Sequence, residues 1–214
     1  MTTAQLTSER ARWQRRGLLL AGLTIGWNVV EAIVAISAGI AAGSIALVGF
    51  GFDSTIEVGS AVVVVWQFRA ELRSGYDEER EQKALRLIAI TFFVLAAYVL
   101  IESARDLFFV DSEADESVVG IVLAMVSLAV MPALAVAKRR VAAAMSSPTL
   151  RADAEETMLC TWLSAVLLGG LVLNATVGWW WADPLAAVGI AALAAKEGVE
   201  AWRGETCDDE HCDD

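Results

Sequence analysis

The chain has 214 residues, of which 57% are hydrophobic and only 20% charged, against roughly 45–50% apolar content in an ordinary soluble domain. Several apolar runs reach the ~20 residues that a helix needs to cross a bilayer, which excludes a soluble globular domain and leaves room for about six spans with short connections. The net charge of −11 matters less than its placement: six of the 27 acids fall in the last ten residues, a solvated block that gives nucleic acid nothing to bind.

In chain order, residues 1–16 (MTTAQLTSERARWQRR) form a basic cytoplasmic arm. The apolar run behind it is too long for a secretory signal peptide. Hydrophobic runs predict membrane helices over 17–40, 44–68, 84–108, 117–137, 150–178 and 182–202. Residues 17–204 thus make one six-helix transmembrane domain, and 205–214 (ETCDDEHCDD) an acidic cytoplasmic tail. Three connections are short or polar: 41–43, 110–116 and the tryptophans Trp179, Trp180 and Trp181 before Asp183-Pro184. Fifteen of the 16 Lys and Arg residues flank the other connections and the two ends, and only Arg105 lies opposite, near Asp111, Glu113, Asp115 and Glu116. By the positive-inside rule both termini are cytoplasmic and the tryptophans lie at the outer interface of a multi-pass plasma-membrane protein.

Span two opens SIALVGFGFDSTIE and span five opens SPTLRADAEETMLC. In each, Ser is followed by Leu three residues on and by metal-capable residues at nine and thirteen: Asp53 and Glu57 in the first segment, Glu156 and Cys160 in the second. With six spans these segments run in opposite directions, so helices 1–3 and 4–6 read as inverted repeats, a design of secondary transporters.

A spacing of four puts both members of each pair on one helix face. An ionised group at membrane depth costs roughly 2.5–3.5 kcal/mol on insertion scales, so it is rarely found there without a partner or a polar path. If the two faces meet, three carboxylates and a thiol suit a tetrahedral divalent cation of the Zn²⁺ type. The competing reading makes the acids helix-packing hydrogen bonders and Cys160 a small apolar filler. Asn28 and Glu31, three apart on span one, either line the metal path or bond between helices. Asp153 and Glu155 are either entrance residues or interfacial acids neutralised by Arg151. Glu102 reads as interfacial beside Arg105, and Gly22, Gly26, Gly39, Gly43 and Gly49 as sites of close helix approach. In the tail, Cys207, His211 and Cys212 either capture a soft cation or belong to a disordered, solubilising end. The three cysteines are too few and too unevenly placed for a disulfide framework.

The stretches AGIAAGSIALVGFGFDSTIE, YVLIESARDL, SSPTLRADAEETMLC and WWADPLAAVGIAAL resemble the membrane domain of the cation diffusion facilitators over nearly all of 17–204. The resemblance implies a six-helix exporter of divalent metal, with a transport site drawn from Asp53 and Glu57 on helix two and Glu156 and Cys160 on helix five. It departs from the family at Glu156, where His or Asp is usual, at Cys160, where Asp is usual, and at Phe50, which stands where span five has Asp153. Only ten residues follow Gly204, so the C-terminal cytoplasmic domain common in the family is expected to be lacking. A homodimer rests on the resemblance alone.

The reading that follows is a secondary transporter exporting a divalent transition metal, Zn²⁺ first and then Cd²⁺, Co²⁺, Mn²⁺ or Fe²⁺, with protons as the exchanged ion and no resident cofactor. Metal ligands must shed protons to bind, which couples the two fluxes at one site. No GxxxxGK[ST] phosphate loop supports an ATP-driven pump. No nucleophile and base pair supports an enzyme. The alternative is a membrane metal-binding protein that senses ions or modulates a partner without transporting.

Overall fold

The structure, a computed structural model, describes residues 3–42, 45–109, 118–177 and 182–204, with side chains over 9–42, 47–105, 118–169 and 187–204. These residues form six helices: α1 (Thr3–Ala42), α2 (Ile45–Ser74), α3 (Glu78–Phe109), α4 (Val118–Met145), α5 (Pro148–Val177) and α6 (Ala182–Arg203). α1 to α4 are each long and apolar enough to cross a membrane. The described side chains of α5 include the charged residues Arg151, Asp153, Glu155 and Glu156, and those of α6 include Lys196, Glu197, Glu200 and Arg203.

Local chemistry sets the helix ends. Gly75 takes φ 82°, a left-handed value that glycine adopts without a Cβ penalty, and its N–H donates to Glu71 O at 2.8 Å, closing α2. Two residues later Asp77 Oδ1 accepts from Glu79 N at 3.0 Å and caps α3, and Glu78, Glu79 and Glu81 place negative charge on its first turn. Between α4 and α5 the chain reverses within Ser146 and Ser147, and the Ser147 N–H reaches back to Ala142 O at 3.0 Å. Pro148 then occupies the first helical position, where its missing N–H costs nothing.

The helices outrun the apolar spans chiefly toward the basic face. α1 begins inside the basic arm, α2 and α4 continue past Phe68 and Ala137, and α3 starts before Ala84. Lys, Arg, Gln and Glu are good helix formers, so hydrocarbon thickness limits the apolar run but not the helix. Arg10 fastens this extension. Its Nε pairs with Glu71 Oε1 at 2.8 Å, its Nη1 donates to Met145 O at 3.2 Å, and its guanidinium lies 5.4 Å from the centre of the Tyr76 ring. A hydrogen bond to Glu81, together with partial burial and the nearby acids, pushes the Tyr76 hydroxyl up to about 12.

α1 packs on α2 and α4, α4 on α5, α3 on α6 and α2, and α5 also reaches α2, α3 and α6. Phe68, Ile88, Phe92, Leu95 and Leu150 fill the main apolar core. The outer surface is apolar as well: Leu19, Ile33, Ile101 and Val118 are each more than 60% exposed. The buried groups include Glu31, Asp53, Glu57, Asp153, Glu156 and Lys138. Apolar outside with acids inside is the reverse of a soluble protein and the arrangement of a helical membrane protein.

Close approach occurs at Gly51, and at Gly49 as expected, but not at Gly22 or Gly26. A Cβ on Gly51 would lie 2.6 Å from Ile36 Cγ1 and 3.1 Å from Ala32 O, so α1 and α2 meet there, and one on Gly49 would strike the Tyr98 hydroxyl. Gly22 and Gly26 face open space, with nothing within 4 Å. The expectation of close packing at those two positions is therefore corrected. Gly43 lies outside the described residues.

Candidate metal centre

On α2, Asp53, Glu57 and Ser60 recur at four and three residues and so share a face. On α5, Asp153, Thr157 and Cys160 do the same. The two faces meet in antiparallel order. Cys160 is buried at the level of Asp53 and interacts electrostatically with Asp53 and Glu57. One turn on, Thr157 Oγ1 donates to Glu57 Oε1 at 2.6 Å. A turn further toward the basic face, Ser60 Oγ donates to Asp153 Oδ1 at 2.8 Å. Partners that descend α2 thus ascend α5, and every residue of this column is buried.

Glu156 is buried but turned toward α3, where Thr91 Oγ1 donates to its Oε2 at 3.1 Å. Its charge still couples to Glu57 and Asp153. Glu31 enters from α1, accepting from Ser54 Oγ at 3.0 Å, and interacts electrostatically with Asp53 and Glu57. Asn28 is fully buried beside it on α1 and donates to the backbone of its own helix at Thr24 O, 3.0 Å away.

Asp53, Glu57 and Cys160 therefore lie along one buried column, with Glu31 and Glu156 at its edges and Asp153 at one end. Among the described residues no three His, Cys, Asp or Glu side chains converge as a ready-made metal cluster. The donor set nevertheless fits a cation. Glu31 Oε1, Asp53 Oδ2, Glu57 Oε2 and Glu156 Oε1 are buried acceptors without a hydrogen-bond partner, and a buried acceptor left unmatched costs about 1–3 kcal/mol. Cys207, His211 and Cys212 lie outside the described residues, as do the outer acids at 111–116 and the three tryptophans.

Two features depart from the reading of the sequence. Asp153 is neutralised by Lys138, with Nζ 2.7 Å from Oδ2, instead of Arg151. Lys138 is itself fully buried and donates to Thr157 Oγ1 at 2.7 Å, whereas Arg139 beside it pairs with Glu155 near the surface. A signal for Lys138 exists. The buried stripe of α4 runs Gly120, Ala124, Ser127, Met131, Ala135 and then Lys138, so continuing its period selects Lys138 and passes over Arg139 and Arg140. The hydroxyls have a signal too, since Ser54 and Thr157 each directly follow the first member of their segment's i, i+4 pair, Asp53 and Glu156.

A family described as the cation efflux transmembrane domain matches residues 23–203. The chain is 26% identical over 173 residues to an uncharacterized transporter of Synechocystis sp., covering 78% of this chain and 56% of that protein. It is 27% identical over 125 residues to the cation-efflux pump FieF of Shewanella oneidensis, covering 58% of this chain and 42% of that protein. The chain thus spans about half the length of the curated relatives it matches.

Proposed function

The chain belongs to the cation efflux family, the cation diffusion facilitators, and from that premise we propose that it exports a divalent transition-metal ion, Zn²⁺ first among the candidates, in exchange for protons. The ion would be held by Asp53, Glu57, Glu156 and Cys160. The observation that carries this reading is the meeting of the α2 and α5 faces inside an apolar bundle, with four buried carboxylates each leaving an oxygen unmatched. Carboxylates withdrawn from water favour their protonated form. A divalent ion needs the deprotonated ligands and expels those protons, so one site binds either cargo and alternating exposure makes it an antiporter.

Six spans, cytoplasmic termini and inverted halves belong to the same proposal. The extension of α1, α2, α3 and α4 at their Arg- and Lys-bearing ends supports the orientation. The helix pairs support the repeat: exchanging α1, α2 and α3 with α4, α5 and α6 maps nearly every principal contact onto another, the contact of α3 with α5 being the exception. The halves also match in detail, with Ser54 bonding Glu31 on α1 and Thr157 bonding Lys138 on α4.

Transport by the purified chain in liposomes tests the proposal. Imposed proton gradients should drive uptake of at least one of Zn²⁺, Cd²⁺, Co²⁺, Mn²⁺ and Fe²⁺, and D53A should abolish it. Silence across that panel from folded protein refutes transport, while full activity in D53A removes the assigned site.

A further inference from the structure

We propose that Lys138 is a tethered counter-cation of the transport site, one whose fixed positive charge opposes the incoming metal and thereby sets its affinity. This rests on the metal-site reading above and adds a residue that neither the spacing of the acids nor the family resemblance supplies.

Lys138 and Asp153 are each 0% exposed and lie 2.7 Å apart. A buried ammonium is tolerated only with a partner, and Asp153 is that partner. The network does not end there. Lys138 also donates to Thr157 at 2.7 Å, and Thr157 donates onward to Glu57 at 2.6 Å, so the ammonium stands one hydroxyl away from an assigned metal ligand. Its charge acts on Glu57 directly as well.

The Ser60–Asp153 level lies toward the basic face from the Glu57–Thr157 level, which lies toward it from Asp53 and Cys160. An ion entering from the basic side meets the lysine before it meets the thiol. At the matching place on the other half stands Glu31, of opposite sign, held by Ser54. A lysine present only to hold α4 against α5 would need Asp153 alone. Coupled through Thr157 to Glu57, it counts against every cation that binds there, and two like-signed charges within a few ångströms of each other repel strongly out of water.

The test is isothermal titration of the purified full chain in detergent with Zn²⁺ alone and with Cd²⁺ alone. K138Q keeps a donor for Asp153 and Thr157 but removes the charge, and should bind metal on the order of tenfold more tightly. D153N frees the lysine charge toward Glu57 and should weaken binding by a similar factor. K138R, and the K138Q/D153N pair, should remain near wild type. Opposite shifts in the two single variants are the signature, because damage to packing does not tighten binding. If K138Q does not fold, the comparison of D153N with K138Q/D153N decides instead, since the added substitution should restore the affinity that D153N lost. Metal binding by wild type with K138Q unchanged or weaker, or a double variant as weak as D153N, overturns the proposal and leaves the site reading intact. Absence of binding in wild type and every variant overturns the site reading, and this inference with it.

Discussion

Thr157 on α5 donates its hydroxyl to Glu57 Oε1 on α2 across 2.6 Å while accepting from Lys138 on α4 across 2.7 Å. One side chain thus ties together three helices, and all three residues are buried. T157V keeps the shape and removes both bonds. It takes the Thr157 donor from Glu57 Oε1 beside an Oε2 that already has no hydrogen-bond partner, and it costs Lys138 one acceptor. A loss of about 1–3 kcal/mol is expected, read as a lower unfolding temperature in detergent, with T157S restoring it. T157V melting with wild type would mean the hydroxyl carries no weight in the fold.

The helices and the acids on their faces are legible in the sequence because both depend on spacing along one chain. Asp53 and Glu57 must share a face of α2 whatever surrounds it. Which neighbour that face meets is not written locally. AKRRVA presents Lys138, Arg139 and Arg140 as one basic run, yet Lys138 is fully buried and Arg139 and Arg140 are exposed. Only the 3.5-residue stripe along α4 distinguishes them. Asp153 misleads for the same reason: Arg151 is two residues away and therefore faces elsewhere, while Lys138 arrives from another helix. Helix ends are hidden differently, since charged residues end an apolar run without ending the helix.

The glycines give a prediction with a built-in control. At Gly51 a Cβ would press on Ile36 Cγ1 at 2.6 Å and on the carbonyl of Ala32 at 3.1 Å. The backbone of α1 cannot give way as a flexible side chain can. G51A should destabilise the protein by about 1–3 kcal/mol through overpacking. G22A and G26A enter open space and, since alanine is the better helix former, should be neutral or mildly stabilising, by up to about 1 kcal/mol each. Melting temperatures of the three variants check this, and a G51A protein as stable as G22A would contradict the contact between α1 and α2.

Proton competition fixes the sign of the pH dependence. Metal can bind only to deprotonated carboxylates and thiol, so each proton displaced makes affinity rise with pH, by about tenfold per unit for one proton. Calorimetry of Zn²⁺ binding between pH 6 and 8 should show affinity increasing, with heats that vary with the ionisation enthalpy of the buffer as protons are released. E57Q removes one proton-binding carboxylate and should flatten the slope. Affinity independent of pH in the wild type would disconnect metal binding from proton exchange.

Cys160 is where ion preference is most open to change. It is buried against Asp53 and Glu57, and it is the one soft donor among three hard carboxylates. Thiolate favours Cd²⁺ and Zn²⁺, whereas an all-oxygen set suits Mn²⁺ and similarly hard ions. C160D should therefore lower the affinity for Cd²⁺ relative to Mn²⁺ on the order of tenfold or more. C160S should lose Cd²⁺ without gaining Mn²⁺, because a neutral hydroxyl is a poor ligand for either. Competition titrations with the two ions give the ratio directly, and unfolding temperatures of the same variants separate lost packing from lost ligation. A Cd²⁺ to Mn²⁺ ratio unchanged in C160D would take the thiol out of the ligand set and leave Asp53, Glu57 and Glu156 to define the site, with Cys160 serving only to fill the contact between α5 and α2.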